Sequence, residues 1–354
     1  MTTTLEVARH VLREDIRPRA ELIDQSTVDL REAFDTLGQH GLMALRAPAS
    51  LGGPAWSDAD FREFQLEVAR ASGTLAFLQT QQQRAVAMIS KMAPPEVAER
   101  MLLGTSTNNR TIGIAFSQLR KDGQPALTAT PDGDGYRVNG KMPWITGLGF
   151  FEHILIGATL PDGRTLFART PFAPSANLSL SEPMQLAAMG TALTVSGVAR
   201  DLPIPASEVV SIEAGDWIHQ NDRLNVTLQA TFALGCSRAA IDLLAKTEVE
   251  NAFLSKWHEL VELVNQQGLP MAEKLAIRAT AIEFMGRAAH AALIASGGRG
   301  IALSHSAQRI AREAFVFSVS AITPDVQSAA LRTIANNLNL AESPNTLNAN
   351  KIRA

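Results

Sequence analysis

The residues whose types and spacing carry the most chemical content are Pro143, Trp144 and Thr146, in the stretch NGKMPWITGLGF, Asn139 to Phe150. Tryptophan offers a wide flat face and one N–H donor, and threonine a short, directional hydroxyl. Placed at the end of an alternating run (Tyr136, Arg137, Val138), they could wall a planar ligand and hydrogen-bond it. They could equally close the corner of a β barrel.

Other chemistries find less support. The single cysteine, Cys236, sits in an apolar helical run (FALGCSRAAIDLLA) with no flanking base, and reads as a buried, inert thiol. With one cysteine no intrachain disulfide can form, which fits a reducing compartment. The seven histidines are scattered, without zinc spacing or a His-Glu-x-x-His pair, and no G-x-S-x-G elbow occurs. Gly135 to Lys141 fits the first seven positions of a phosphate-binding loop. Met142 then replaces the required Ser or Thr, and the chain runs on into Pro143 instead of opening a helix. The SGGRG stretch near Gly297 ends a helical pattern, so it is no dinucleotide fingerprint.

With 354 residues, 46% hydrophobic and 19% charged, the chain suits two or three domains or one large globular unit. A net charge of −3, with no aromatic residues interleaving a basic patch, argues against a nucleic-acid partner. The N-terminal stretch mixes charges into its apolar positions, and no run approaches the ~20 apolar residues of a membrane span. A cytoplasmic protein without membrane contact is expected.

The elements that must position Trp144 and Thr146 follow from periodicity. Residues 1–110 read as a helical domain. Its long stripe-patterned segment DFREFQLEVARASGTLAFLQTQQQRAVAMISKMA has Ser57 or Asp58 as its N-cap, and PPEVAERMLLG opens on proline. Residues 111–214 turn short, β-branched and alternating, with Asp-Gly turns, as in TIGIAFSQL and HILIGATLPDGRTLFART. Residues 215–336 return to helices, and 337–354 form a polar, Asn-rich tail. The predicted α+β fold is thus an N-terminal helical domain, a central small antiparallel β domain or barrel, and a C-terminal helical bundle. A cleft is expected where the layers meet.

This order, with WITG at a strand end, resembles the acyl-CoA dehydrogenase superfamily of flavoproteins over nearly the whole chain. ALRAPASLGGPAWSDADF is similar to that family's Pro-x-x-Tyr-Gly-Gly turn, with Leu51 at the Tyr position, and IGIAFSQL to the first strand of its β domain. GYRVNGKMPWITGLG is similar to its Asn-Gly…Trp-Ile-Thr stretch. SGGRG followed by AQRIAREAF is similar to its Gly-Gly…Arg-x-x-Arg-Asp-Ala stretch, with Arg309, Arg312 and Glu313 at the charged positions. The resemblance implies bound FAD, with FMN as the other flavin to consider. It places Trp144 beside the flavin ring and Thr146 near N5, with Phe116 and Ser117 at the pyrimidine edge.

The resemblance also marks departures. The family's usual catalytic Glu lies in a Tyr-Glu-Gly-Thr stretch, which falls on Ser320-Ala321-Ile322-Thr323. Ala321 therefore stands where a carboxylate should take the substrate's α proton, and Thr323 joins the implied cofactor-binding residues. The alternative site for that Glu falls near Asn225. Asp222, His219 and His305 are substitute bases to be weighed against plain helix-entry roles, and no catalytic residue is assigned. QLRKDGQP replaces the loop that contacts the CoA end of the substrate. Asn251-Ala-Phe-Leu254-Ser255 replaces an Arg-x-x-Phe-Gly segment at the FAD pyrophosphate, and Ile294 replaces a glutamine.

Three readings follow. The first is a flavin-dependent oxidoreductase with an unassigned base, acting on an acyl thioester or another apolar molecule. The second is a flavin-dependent monooxygenase of the same fold, using FMN or FAD. The third is a non-catalytic binding or scaffold relative. Wide apolar faces on the C-terminal helices, together with the resemblance, imply a homodimer or homotetramer.

Overall fold

The computed structural model describes residues 4–339. Six helices come first: α1 Leu5–Val11, α2 Ala20–Gln25, α3 Thr27–Gln39, α4 Asp58–Ala71, α5 Gly73–Met92 and α6 Pro95–Leu102. Serines start three of them. Ser26, Ser57 and Ser72 stand in extended conformation and accept the first free N–H groups of α3, α4 and α5, from Asp29, Asp60 and Leu75. Pro95 opens α6, where a missing N–H costs nothing.

Eight strands follow: β1 Ile112–Ala115, β2 Leu127–Asp132, β3 Gly135–Ile145, β4 His153–Thr159, β5 Thr165–Pro171, β6 Leu178–Leu180, β7 Val195–Ile204 and β8 Val209–Glu213. They form one sheet in the order β6-β7-β3-β2-β4-β5-β8, with β1 pairing β4. The pairings are antiparallel except β1 with β4 and a single β2–β4 contact, Thr128 with Thr159. The two-residue turn Gly133–Asp134 joins β2 to β3.

Six helices close the described chain: α7 Trp217–Leu224, α8 Ala230–Asp242, α9 Glu250–Asn265, α10 Met271–Ser296, α11 Ser306–Val319 and α12 Pro324–Asn339. The main apolar core runs without interruption from α1–α5 through the inner face of the sheet to α8, α10 and α11. Residues 340–354 of the polar tail lie outside the described residues. Among the described residues no helix is long and apolar enough to cross a membrane.

Candidate functional site

The end of β3 explains the Pro-Trp pair. Met142 pairs Gly197 and Ile145 pairs Val195, so three steps on β3 oppose two on β7. This bulge contains Pro143, which has no N–H to give a ladder, and Trp144. Bulges re-aim side chains, and this one leaves Trp144 53% exposed against a cavity while Ile145 returns to the core. Trp144 is therefore not a barrel-closing core residue. Thr146 is buried beside the same cavity, with its hydroxyl 3.0 Å from that of Thr194. Gly147 then turns the chain at φ +96°, where a Cβ would meet the Phe151 ring at 2.3 Å.

The cavity measures about 1350 Å³ and lies where the α5 helix, the β1 and β3 strand ends, α7, α8 and the end of α11 meet. That exceeds the ~300–1,000 Å³ of an ordinary ligand pocket and leaves room for a ring system and a second molecule. Phe116 is buried and presents its ring to Phe167 edge-on at 5.6 Å, while also lining the cavity. Ser117 lines it as well, and its Oγ is shut off from solvent without a hydrogen-bond partner. An open indole face, a paired threonine and an unpartnered buried hydroxyl on one wall suit a planar heterocycle with polar edges. A flavin fits these residues. Thr323 takes a different place. It does not line the cavity, and its Oγ1 accepts from Val326 N at 3.3 Å, capping α12.

Both positions at which a base was sought line the cavity. Ala321 follows α11 in a left-handed conformation, φ +49°. Asn225 spends its amide on Asn221, donating to the backbone oxygen at 2.7 Å and to Oδ1 at 3.2 Å. Asp222 is held in a two-pronged pair by Arg120, at 2.6 and 2.9 Å. His219 and His305 do not line the cavity, and His305 Nδ1 caps α11 by accepting from Ala307 N. Among the described residues lining the cavity Asp58 is the sole carboxylate, and Arg46 pairs it at 2.6 Å.

The cavity is cationic: Arg46, Arg62, Arg84, Lys91, Arg120 and Lys121 stand against that one carboxylate. Arg62 donates to Thr227 Oγ1 at 3.2 Å and to Val264 O at 3.4 Å, and burial holds its pKa below the usual value. Arg84 is different, because its Nε and Nη2 are buried with no hydrogen-bond partner. It follows directly on glutamines that are tied down: Gln82 Nε2 donates to Thr105 O and Gln83 Nε2 to Leu42 O. Arg84 was not among the residues singled out in the sequence. Its signal was QTQQQR, Gln79 to Arg84, a polar run inside an otherwise apolar helix.

Arg309, Arg312 and Glu313 serve the architecture. Glu313 is fully buried on α11, where its carboxylate accepts from Gly73 N at 3.0 Å and pairs Arg309 at 2.9 Å. Burial pushes the Glu313 carboxyl above its ordinary pKa, opposed by Arg309. Arg312 pairs Asp24 of α2. Charges on one helix thus fasten α2, α5 and α11 together. No group of three or more acidic, His or Cys side chains suited to a metal ion occurs among the described residues.

The family model for the acyl-CoA dehydrogenase N-terminal domain matches residues 2–108. The chain is 22% identical to a 3-(aryl)acrylate reductase of Clostridium sporogenes, over 68% of this chain and 66% of that protein. It is 27% identical to a benzylmalonyl-CoA dehydrogenase of Aromatoleum aromaticum, over 64% of this chain and 62% of that protein. The chain thus spans just under two thirds of the length of these two relatives. In fold it is similar to butyryl-CoA dehydrogenase from Megasphaera elsdenii, with TM-score 0.77, 17% identity and coverage of 94% of this chain and 97% of that one. It is likewise similar to a dibenzothiophene monooxygenase from Paenibacillus sp. A11-2, with TM-score 0.74, 16% identity and the same two coverages, 94% and 97%.

Proposed function

We propose, from the premise that the chain belongs to the acyl-CoA dehydrogenase superfamily, that it is a flavin-dependent oxidoreductase working without the usual carboxylate base. The observation that carries this reading is the wall formed by Trp144, Thr146, Phe116 and Ser117 on a cavity large enough for a ring and a substrate. Bound there, a flavin would supply a redox-active ring that accepts or returns a hydride or activates oxygen. Trp144 would cover one part of the ring, and the Ser117 hydroxyl would gain the hydrogen-bond partner it lacks. FAD is the flavin the family implies and FMN the alternative, because Asn251 to Ser255 replaces the segment that would meet the FAD pyrophosphate.

Removal of an α proton needs a group that can accept it within hydrogen-bond reach. Ala321 and Asn225 offer none, and Asp58 and Asp222 are committed to arginines. The substrate is therefore an apolar molecule or acyl thioester whose conversion needs no such carboxylate from this chain. The aromatic cavity lining supports an aryl-bearing molecule, in keeping with the named substrates of the two relatives. The same shortage of bases favours a second reading, a flavin-dependent monooxygenase, for which the dibenzothiophene enzyme is a precedent of fold.

Exposed Ile294, Ile301, Leu303, Phe315 and Val319 give α10, α11 and the segment between them an apolar surface. Phe315 and Val319 also line the cavity, so a second copy of the chain would both cover this surface and help close the site.

The test is to purify the protein, denature it, and identify released flavin by chromatography, then titrate the apoprotein with FAD and FMN. Either flavin near one per chain, bound roughly tenfold more weakly by Trp144→Ala, supports the reading. Binding of neither flavin, oxidised or reduced, overturns both enzymatic readings and leaves a ligand-binding or scaffold relative.

A further inference from the structure

A donor-only corner remains in the cavity once the flavin wall is accounted for. Arg84 projects from α5 on the face that also presents Phe77, Gln81, Met88 and Lys91 to the cavity, one helical turn apart. Guanidinium is a pure donor, and its buried Nε and Nη2 have nothing to donate to. The neighbouring arginines differ: Arg46 and Arg120 each hold a carboxylate, and Arg62 reaches a hydroxyl and a carbonyl. Asn221 lines the same cavity, and its Nδ2 is also buried and unpartnered. Its orientation is fixed because Oδ1 already accepts from Asn225 Nδ2 at 3.2 Å. Two side chains that line the cavity thus carry donor nitrogens that no protein acceptor meets. Arg84 is half-buried, and a largely desolvated cation without a carboxylate partner marks a place where something of opposite charge belongs.

We propose that Arg84, assisted by Asn221, receives an anionic oxygen group, a carboxylate or a comparable oxoanion, carried by the substrate itself. This rests on the reading of the cavity as a flavin and substrate site. The adjoining Phe77 and Met88 make the rest of the ligand apolar, so the substrate is an acyl thioester or other largely apolar molecule that carries one acidic group held inside the cavity. Burial, with repulsion from Arg120 added, pushes the Arg84 guanidinium down to about 10, so it stays charged at neutral pH.

The test compares benzoate with benzamide, a neutral isostere, on the purified full-length protein loaded with whichever flavin it binds. Melting temperature and calorimetric affinity are read at constant ionic strength. Wild type should bind benzoate at least roughly tenfold more tightly than benzamide, as one charge-assisted contact allows. Arg84→Met should remove that preference while flavin still binds. It should also raise the melting temperature of the ligand-free protein, because an uncompensated buried charge is gone. Arg84→Lys, which keeps the charge, should retain part of the preference and serves if the Met variant fails to fold. Equal binding of benzoate and benzamide by wild type, or a preference that survives in Arg84→Met, overturns the proposal. FMN and riboflavin are compared in parallel. If the FMN advantage over riboflavin disappears in Arg84→Met, the arginine reads the cofactor phosphate and the substrate assignment is overturned. A benzoate preference that depends on Arg84 in a protein that binds no flavin would uphold the anion site and remove the flavin reading.

Discussion

Arg120 grips Asp222 with two parallel hydrogen bonds, Nε to Oδ2 at 2.6 Å and Nη2 to Oδ1 at 2.9 Å, both side chains being mostly buried. The pair ties the segment after β1 to α7 and lies close enough to Arg84 for both charges to act on it. Asp222→Asn should therefore destabilise the protein by about 2 kcal/mol, because Arg120 then joins Arg84 as an unpaired buried cation. Urea unfolding measures this directly. If Asp222 were instead the proton-accepting base, the variant would keep its urea midpoint and lose turnover.

Trp144 should behave as a ligand wall. With 53% of its surface exposed, Trp144→Ala should cost no more than about 0.5 kcal/mol of folding stability while weakening flavin binding roughly tenfold. Equilibrium denaturation and a flavin titration separate the two effects. A loss of several kcal/mol with flavin binding intact would return Trp144 to the role of a packing residue.

The cavity wall at Trp144 and Thr146 could be read in the sequence because it depends on local pattern. An alternating strand, a proline that breaks the ladder and the residues just after it all lie within ten positions. The bulge that turns Trp144 outward is written in that proline. Arg84 was hidden by the opposite circumstance. Helical periodicity fixes which residues share its face, but whether an arginine finds a carboxylate depends on α4, α7 and the segment after β1, far apart in sequence. The same limit separates Asp222 from its role, since nothing near it announces Arg120 across 102 positions. Thr323 illustrates a further ambiguity. A threonine before Pro324 carries a helix-cap signal as well as its place in a family motif, and here the hydroxyl serves the cap.

Arg278 on α10 should position the loop that carries Ala321. It is fully buried and bonds only to backbone: Gln229 O at the start of α8, Phe317 O at 3.5 Å and Ser320 O at 3.2 Å. Arg278→Met removes a buried cation but orphans these carbonyls, so the net loss should be about 1–3 kcal/mol. The sharper consequence is local. Amide hydrogen exchange at 317–323 should quicken well beyond the rest of α11, and unchanged protection there would refute the positioning role.

Gly73 has no room for a side chain. A Cβ there would stand 2.6 Å from Glu313 Cδ and 2.8 Å from Oε2. Glu313 cannot simply swing away, because it is fully buried and held by Arg309. Gly73→Ala should therefore cost about 2–4 kcal/mol, much more than the small gain alanine brings to a helix N-terminus. Thermal unfolding of Gly73→Ala and of Gly73→Ala with Glu313→Asp tests the mechanism. The second variant shortens the side chain that the new Cβ would meet, keeps a carboxylate near Arg309 and should recover part of the loss.

Cys236 provides the pH test. Its thiol lies in the core, its Sγ is 3.6 Å from Ile310 O, and burial, reinforced by the Glu313 charge, pushes its pKa well above the ordinary thiol value. The folded protein keeps the proton where the unfolded chain gives it up, so the unfolded state binds fewer protons once the pH passes about 8.5. Stability from this group is complete below that pH and falls as the pH rises beyond it. Urea midpoints of the wild type between pH 8 and 10 should therefore drop more steeply than those of Cys236→Ala. The native protein should also resist thiol reagents at pH 8, with one thiol appearing on denaturation. Rapid labelling of the folded chain would show an accessible thiolate and contradict the burial on which the pH dependence rests.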